Sequence, residues 1–288
     1  MKHGRSRVVP ALVASLALAV ACCTVAAPRD NIHDWAWLSD VEARRRPPFR
    51  IFDNVAYVGL DWVSCYLIET SAGLILIDAL YEPYTETLLD NIRALGHDPA
   101  DVAYVIVTHG HWDHAGGAGT LQEKLGARIV MGAADWDLVD RDSSSGNTHF
   151  TPAREDLALG DRETLTLGDT TLTFHLTPGH TEGSLSVEFP ARDGETTWRA
   201  LTYGGVGINF SGPERLKTYS DSVHRIMARG PFDVSLTNHP GMARVFPRAR
   251  DLTARGPGEP HPFVDRPAMA DFLEQRLEAA RQALAGNP

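Results

Sequence analysis

The sequence predicts an α/β protein made of two mixed sheets packed face to face, with helices on the outside. Two observations carry this reading: strand-like runs alternate with helical spacings within each half of the chain, and the two halves follow one plan. A third observation is negative. After an N-terminal leader, no linker splits the chain into separately folding parts, so residues 28–288 are expected to form one domain.

The first half opens with a Trp- and Arg-rich segment, Asp34 to Arg50. Four short apolar runs follow: Phe49-Arg50-Ile51-Phe52, Val55-Ala56-Tyr57-Val58, Cys65-Tyr66-Leu67-Ile68 and Leu74-Ile75-Leu76-Ile77. Gly and Asp punctuate them, as in a meander. Tyr84 to Leu95 has helical spacing and stops at Gly96, a helix-ending residue. Val102 to Val107 is continuously apolar, the pattern of a strand buried on both faces. Gly119 to Leu125 reads as a helix and Arg128-Ile129-Val130-Met131 as a strand. Asp135 to Phe150 is polar, contains Ser143-Ser144-Ser145-Gly146-Asn147, and is expected to be a mobile loop.

The second half repeats the plan. Strands are expected at Thr164 to Leu167, Thr171 to Leu176, Leu185 to Phe189, Trp198 to Tyr203 and Val234 to Thr237. Leu216 to Ala228 reads as a helix, Asp251 to Pro262 as a Gly/Pro-rich loop, and Pro267 to Leu284 as a terminal amphipathic helix.

Residues 1–27 read as a secretory signal peptide. Lys2, Arg5 and Arg7 form its basic start, Val8 to Val20 its apolar centre, and Val25-Ala26-Ala27 the cleavage site. A membrane anchor is the alternative, but the apolar stretch is short for a span. Leu18-Ala19-Val20-Ala21-Cys22 is a weak lipidation signal, so anchoring at Cys22 is a secondary expectation. A periplasmic or secreted protein follows, with no stable membrane insertion after cleavage. Loss of the three basic residues takes the net charge from −10 to −13. So acidic a chain is a poor partner for nucleic acid, whose phosphates require Lys and Arg patches; a small-molecule substrate is expected. Cys65 is then the lone cysteine, in a strand pattern, and reads as a buried small hydrophobe. The sequence sets no oligomeric state.

The chemistry sits in Thr108-His109-Gly110-His111-Trp112-Asp113-His114, directly after the buried strand. Three imidazoles and a carboxylate in six residues are the ligand types that hold zinc without thiolate, although iron or manganese also suit His and Asp. Two further histidines stand on turns after strands: His180 in Thr177-Pro178-Gly179-His180-Thr181, and His239 in Thr237-Asn238-His239-Pro240-Gly241. If each strand end points to one rim of the sandwich, these converge with the cluster to give two sites of three ligands each. Trp62, in Leu60-Asp61-Trp62, is a candidate for a hairpin tip over the cleft, with Ser143 to His149 as the opposite wall; Trp62 and Phe150 would then touch a ligand, with simple packing as the alternative. Asp78, after Leu74 to Ile77, is a candidate acceptor for a ligand histidine N–H, or equally a strand-end cap.

The His-x-His-x-Asp-His motif at His109, His111, Asp113 and His114 resembles that of the metallo-β-lactamase superfamily, over about Pro48 to Leu284. The resemblance implies the αββα metallo-β-lactamase fold. It also implies two Zn2+ ions, one held by His109, His111 and His180 and the other by Asp113, His114 and His239. Pro48-Phe49-Arg50-Ile51, Thr148-His149-Phe150, Pro178-Gly179-His180-Thr181 and Pro262-Phe263-Val264-Asp265 are similar to subclass B3 of the β-lactamases. The chain departs from that subclass at Tyr203-Gly204-Gly205, where an acid–serine pair often stands; the serine helps to place a water or the substrate carboxylate, so Gly205 joins the candidate substrate contacts. The same segment lacks the bridging aspartate of glyoxalase-like and lactonase-like relatives. The activity implied is opening of the β-lactam amide by a metal-bound hydroxide, with Asp113 both binding metal and orienting the nucleophile. Two other readings stand beside it: a related hydrolase of lactones, esters or other amides, and a metal- or solute-binding protein without catalysis.

Overall fold

The computed structural model describes Met1 and residues 35–144 and 150–286. The expected leader beyond Met1, Cys22 and the stretch 145–149 with His149 lie outside the described residues. No helix among the described residues is long and apolar enough to cross a membrane.

Two short helices, α1 (Trp35–Leu38) and α2 (Val41–Arg44), precede the first sheet. That sheet runs β1 (Phe49–Phe52), β2 (Val55–Tyr57), β3 (Tyr66–Thr70), β4 (Gly73–Ile77), β5 (Val102–Ile106), β6 (Arg128–Gly132), β7 (Leu157–Leu159), with spatial order equal to chain order. The strands β1 to β4 form an antiparallel meander, whereas β4 to β7 are parallel. Parallel neighbours need crossovers. These are α3 (Thr85–Ala94) before β5, then α4 (Trp112–Ala115) and α5 (Ala118–Leu125) before β6, then α6 (Ala133–Ser144) before β7. The second sheet has the order β12-β11-β10-β9-β8 and contains β8 (Thr164–Leu167), β9 (Thr170–Leu176), β10 (Leu185–Asp193), β11 (Thr196–Tyr203) and β12 (Val234–Thr237). Helix α7 (Pro213–Arg229) crosses from β11 to its parallel neighbour β12, and α8 (Val245–Ala254) and α9 (Arg266–Ala285) complete the chain.

Alternation along the strands sorts the apolar residues into layers. In β4, Leu74 and Leu76 face the helices α3 and α5, while Ile75 and Ile77 face the second sheet. The space between the sheets is filled by Ile77, Ile106 and Val130 from one side and Phe174, Val187 and Leu236 from the other. Leu201 and Tyr203 on the outer face of the second sheet pack with α7 and α9. The αββα sandwich is as expected. The sheets are also tied by hydrogen bonds near the site: Leu185 N donates to Thr108 O at 2.7 Å and Tyr66 Oη to Thr237 O at 2.9 Å.

Three expectations need correction. The polar stretch from Asp135 is helical as far as Ser144 in α6, because Trp136 and Val139, three apart, bury one stripe on the first sheet while Asp137 and Asp140 face outward. Asp251 to Ala254 belong to α8, whose Pro247 falls in the first turn, where proline costs no hydrogen bond. The three-residue strand β7 was too short to give a pattern.

Candidate metal centre

Strand β5 ends at Ile106, and the next residues are pinned before they turn into α4. Thr108 N donates to Asp78 Oδ1 at 2.7 Å, Gly110 N to Asp135 Oδ2 at 2.8 Å, and Ala79 N to His114 O at 2.9 Å. His180 follows β9 and His239 follows β12. All three segments meet at one rim of the sandwich, so the predicted convergence is present.

Two triads result. His180 Nε2 lies 3.1 Å from His109 Nε2 and 2.9 Å from His111 Nδ1. His114 Nε2 lies 3.1 Å from Asp113 Oδ2 and 3.3 Å from His239 Nε2, with His239 Nε2 and Asp113 Oδ2 3.7 Å apart. His109, Asp113 and His114 also offer ligand atoms within 4.8 Å of one another, so the triads form one continuous cluster. A tetrahedral zinc with Zn–N near 2.05 Å separates neighbouring nitrogens by about 3.3 Å, close to these spacings.

The outward nitrogens show which way the lone pairs point. His180 Nδ1 is 2.7 Å from Gly207 O, and His239 Nδ1 is 2.7 Å from Trp62 O. A carbonyl only accepts, so each Nδ1 carries the proton and each neutral ring turns the lone pair of Nε2 inward. His114 Nδ1 donates to Asp78 Oδ2 at 2.8 Å, as expected of Asp78. Thr108 Oγ1, 3.1 Å from Asp78 Oδ2, also lies 3.2 Å from His109 Nδ1, placed to accept from it. Lone pairs converging at van der Waals distance or less repel unless a cation lies among them, so the donor set fits a divalent ion in each triad.

Electrostatics agree. Burial, then neighbouring imidazoles, hold His109 well below the usual histidine range, and burial with His111 holds His180 down to about 3. Burial also lowers His239. His114 goes the other way: burial disfavours its charged form, but Asp113 and Asp78 outweigh that and hold it up to about 10. Asp113 is kept ionised by His114, against the cost of burial. Without a metal, a proton on His114 takes the cation's place. Three protein ligands per triad leave coordination positions open, the mark of a catalytic rather than a structural site.

The substrate candidates fare differently. Gly205 sits against the site: a Cβ there would lie 2.9 Å from His180 Cβ and 2.7 Å from Ser184 Oγ. Trp62 is not an open hairpin tip. It is buried, its Nε1 donates to Tyr81 Oη at 3.2 Å, and its ring packs on His239 and Trp112. Its contribution to the site is the backbone carbonyl that orients His239. Phe150 is buried with the helices outside the first sheet, not in the cleft. Trp112 packs among Trp35, Trp62 and Tyr81. Cys65 is buried, as expected, and donates to Asp78 O at 3.0 Å. Sequence reading missed Asp135, which accepts from both ligand loops, and the Gly207 carbonyl. Asp135 had a detectable signal, since it stands three residues past the end of the parallel strand β6. A groove of about 510 Å³ opens beside His111, walled by Leu138 and Arg141 of α6 and Glu214, Arg215 and Thr218 of α7.

Residues 58–194 match the metallo-beta-lactamase superfamily model. BJP-1, a subclass B3 metallo-beta-lactamase of Bradyrhizobium japonicum, superposes with a TM-score of 0.78 at 29% identity, over 85% of this chain and 96% of that one. Native FEZ-1 metallo-beta-lactamase from Legionella gormanii superposes with a TM-score of 0.76 at 29% identity, over 84% and 97%. Among curated sequences, a hydroxyacylglutathione hydrolase of Anaeromyxobacter dehalogenans (strain 2CP-C) is 32% identical over 188 residues, 64% of each protein. An uncharacterized Bacillus subtilis (strain 168) protein, YobT, is 30% identical over 43% of this chain and 55% of its own length. The match therefore spans about 55–64% of these curated relatives. The fold and the His/Asp centre are those of the metal-dependent αββα class. Residues 58–194 thus carry a metallo-β-lactamase superfamily domain, the family is dinuclear and usually zinc-dependent, and the whole fold resembles that of BJP-1, a subclass B3 enzyme.

Proposed function

We propose that the protein is an exported zinc β-lactamase, with His109, His111 and His180 holding one ion and Asp113, His114 and His239 the other. The observation that carries this is the pair of adjacent triads, each closed on three protein ligands with its outward nitrogens or backbone fixed. Bound zinc supplies a Lewis acid for the amide carbonyl and a water acidic enough to act as nucleophile near neutral pH. The chain's part is to hold the ions open to the groove, to keep His180 and His239 in the correct tautomer through Gly207 O and Trp62 O, and to fix His114 through Asp78. Asp113, kept ionised by His114, would bind its ion and is placed to orient the attacking water. No serine nucleophile is required. Superposition over nearly the whole length of BJP-1 supports this substrate class.

The second reading is a hydrolase of thioesters, esters or lactones, favoured by the identity to a hydroxyacylglutathione hydrolase. Against it, a Cβ at Gly204 would lie 2.0 Å from Leu185 O, so no further carboxylate can stand at the end of β11. Residues 1–27 as a cleaved leader, and residues 28–288 as the working domain, belong to the same proposal. The test is hydrolysis of a penicillin, a cephalosporin and a carbapenem by the zinc-loaded mature chain, with and without chelator. Chelator-sensitive turnover is expected. Full zinc occupancy with no turnover of any of the three overturns the β-lactamase reading in favour of ester and lactone substrates.

A further inference from the structure

Asp135 lies in the first turn of α6, outside both triads, with its side chain buried and 1% of the residue exposed. Its Oδ2 accepts from Gly110 N at 2.8 Å and from Thr181 Oγ1 at 2.7 Å, and its Oδ1 accepts from Gly183 N at 2.8 Å. Gly110 stands between His109 and His111, and Thr181 directly follows His180. One carboxylate therefore joins the two loops that carry every ligand of the first triad.

The surroundings are shaped for this approach. A Cβ at Gly183 would lie 2.6 Å from Asp135 N and 2.8 Å from Asp135 Cβ, and a Cβ at Gly132 would lie 2.0 Å from Gly183 O. Glycines at both positions let the end of β6 close on the His180 loop. From the opposite side, Arg215 Nε donates to Gly179 O at 2.7 Å and its Nη2 donates to His180 O. The second triad is held otherwise: Asp113 and His114 by α4 and Asp78, and His239 by Trp62 O.

We infer that Asp135 is a positioning residue that sets the spacing of His109, His111 and His180, and so governs the affinity of the first triad for its ion independently of the second. It acts through the N–H groups of Gly110 and Gly183 and the hydroxyl of Thr181, and belongs to neither triad. An amide cannot replace it: with Oδ1 of the asparagine facing Gly110 N and Thr181, its NH2 confronts the N–H of Gly183, donor against donor. This inference rests on the metal-centre reading but not on the β-lactam substrate.

The experiment is stepwise titration of the metal-free full chain with Co2+, followed by the ligand-field absorption bands and by chelator competition, for wild type, Asp135→Asn, Thr181→Val and Asp78→Ala. In Asp135→Asn one of the two binding steps is expected to weaken about 10–100-fold, the scale seen when groups that support ligands are removed, with altered bands for that ion. The other step is expected to stay within about 3-fold, whereas Asp78→Ala, which removes the partner of His114 and also of Thr108 beside His109, is not confined to the step that Asp135→Asn weakens. Both steps unchanged, or both weakened equally, overturns the inference. Should Asp135→Asn fail to fold, Thr181→Val decides: it removes one of the three hydrogen bonds, and about 5-fold weakening of the same single step is expected. If it leaves both steps and both spectra unchanged, Asp135 has no such role. A wild-type chain that binds no Co2+ would be a failure of the metal-centre reading itself, visible before any variant is compared.

Discussion

Placing serine at Gly205, where related enzymes often carry one, should damage this protein. Gly205 has φ +69°, a left-handed conformation that costs an L-residue about 1–2 kcal/mol. The new Cβ would also stand 2.7 Å from Ser184 Oγ and 2.9 Å from His180 Cβ. Ser184 cannot step aside freely, because its Oγ lies 3.1 Å from Thr181 N and 2.7 Å from Thr181 Oγ1. Overpacking at such a site typically costs about 1–3 kcal/mol more. Gly205→Ser is thus expected to lose about 2–5 kcal/mol, a fall in Tm on the order of 5–15 °C for a domain of this size. Part of the strain is relieved by pushing His180 out of its triad, so bound zinc per chain falls as well. Thermal unfolding followed by intrinsic fluorescence, with metal analysis of the purified variant, measures both. A variant with unchanged Tm, full zinc and faster turnover would refute the reasoning and show that the loop has room for the serine.

Three further outcomes follow from the same geometry. His180→Ala removes a ligand of the first triad and should lower zinc content and abolish chelator-sensitive hydrolysis; a normal rate would sink the ligand assignment. Asp78→Ala frees the His114 ring and the Thr108 backbone N–H together, and about 10–100-fold weaker binding of one ion is expected in a chelator competition; equal affinity would reduce Asp78 to a strand-end cap. The metal-free chain should lose stability as pH falls from about 6.5 toward 3: unfolded histidines take up protons in that window, while His180, held down to about 3, and His109, also lowered, do not. Each such ring contributes a slope of about 1.4 kcal/mol per pH unit. Above pH 6.5 the sign reverses, because His114 keeps its proton to about 10 when folded, so stability declines toward alkaline pH. Denaturant midpoints at pH 5, 6.5 and 9 test this, and a flat profile would contradict the assigned protonation states.

Most of the architecture was legible because burial on two sheet faces leaves plain patterns. Leu74-Ile75-Leu76-Ile77 and Val102 to Val107 are apolar on both sides, and both are strands that sit between helices and the second sheet. What stayed hidden had weak or misleading local signals. In α6, only Trp136, Leu138 and Val139 are large apolar residues over the first turns, and the serines at its end read as loop. Proline at position 247 masked α8, and β7 is half a dozen ångströms of ladder without a pattern of its own. At the site, the six His and Asp residues that converge were readable because ligand chemistry restricts residue type. For Trp62 and Phe150 the packing reading holds and the ligand-contact reading does not, because aromatic side chains are equally at home in a core, and both are buried there. The groups that orient the ligands are largely backbone carbonyls, at Trp62 and Gly207, and any residue type can supply a carbonyl.

One rule would have recovered more. In open α/β sheets, function gathers beyond the carboxyl ends of the parallel strands. Here Asp78 follows β4, the His109–His114 cluster follows β5, Asp135 follows β6, His180 follows β9, Gly205 follows β11 and His239 follows β12. The strands β9, β11 and β12 all run in one sense, since β9 and β11 each lie antiparallel to β10 and β12 is parallel to β11. The centre is therefore assembled from six strand ends that the two sheets bring to one rim, and a buried carboxylate one to three residues past such an end has an electrostatic reason to be there. Asp78 satisfies that criterion by holding His114, Asp135 by joining the two loops of the first triad. The two carboxylates differ in reach: Asp78 holds His114 directly and meets His109 through Thr108, whereas Asp135 joins only the two loops of the first triad. Substitution at Asp135 should therefore adjust the affinity of the first triad without changing any residue of either triad.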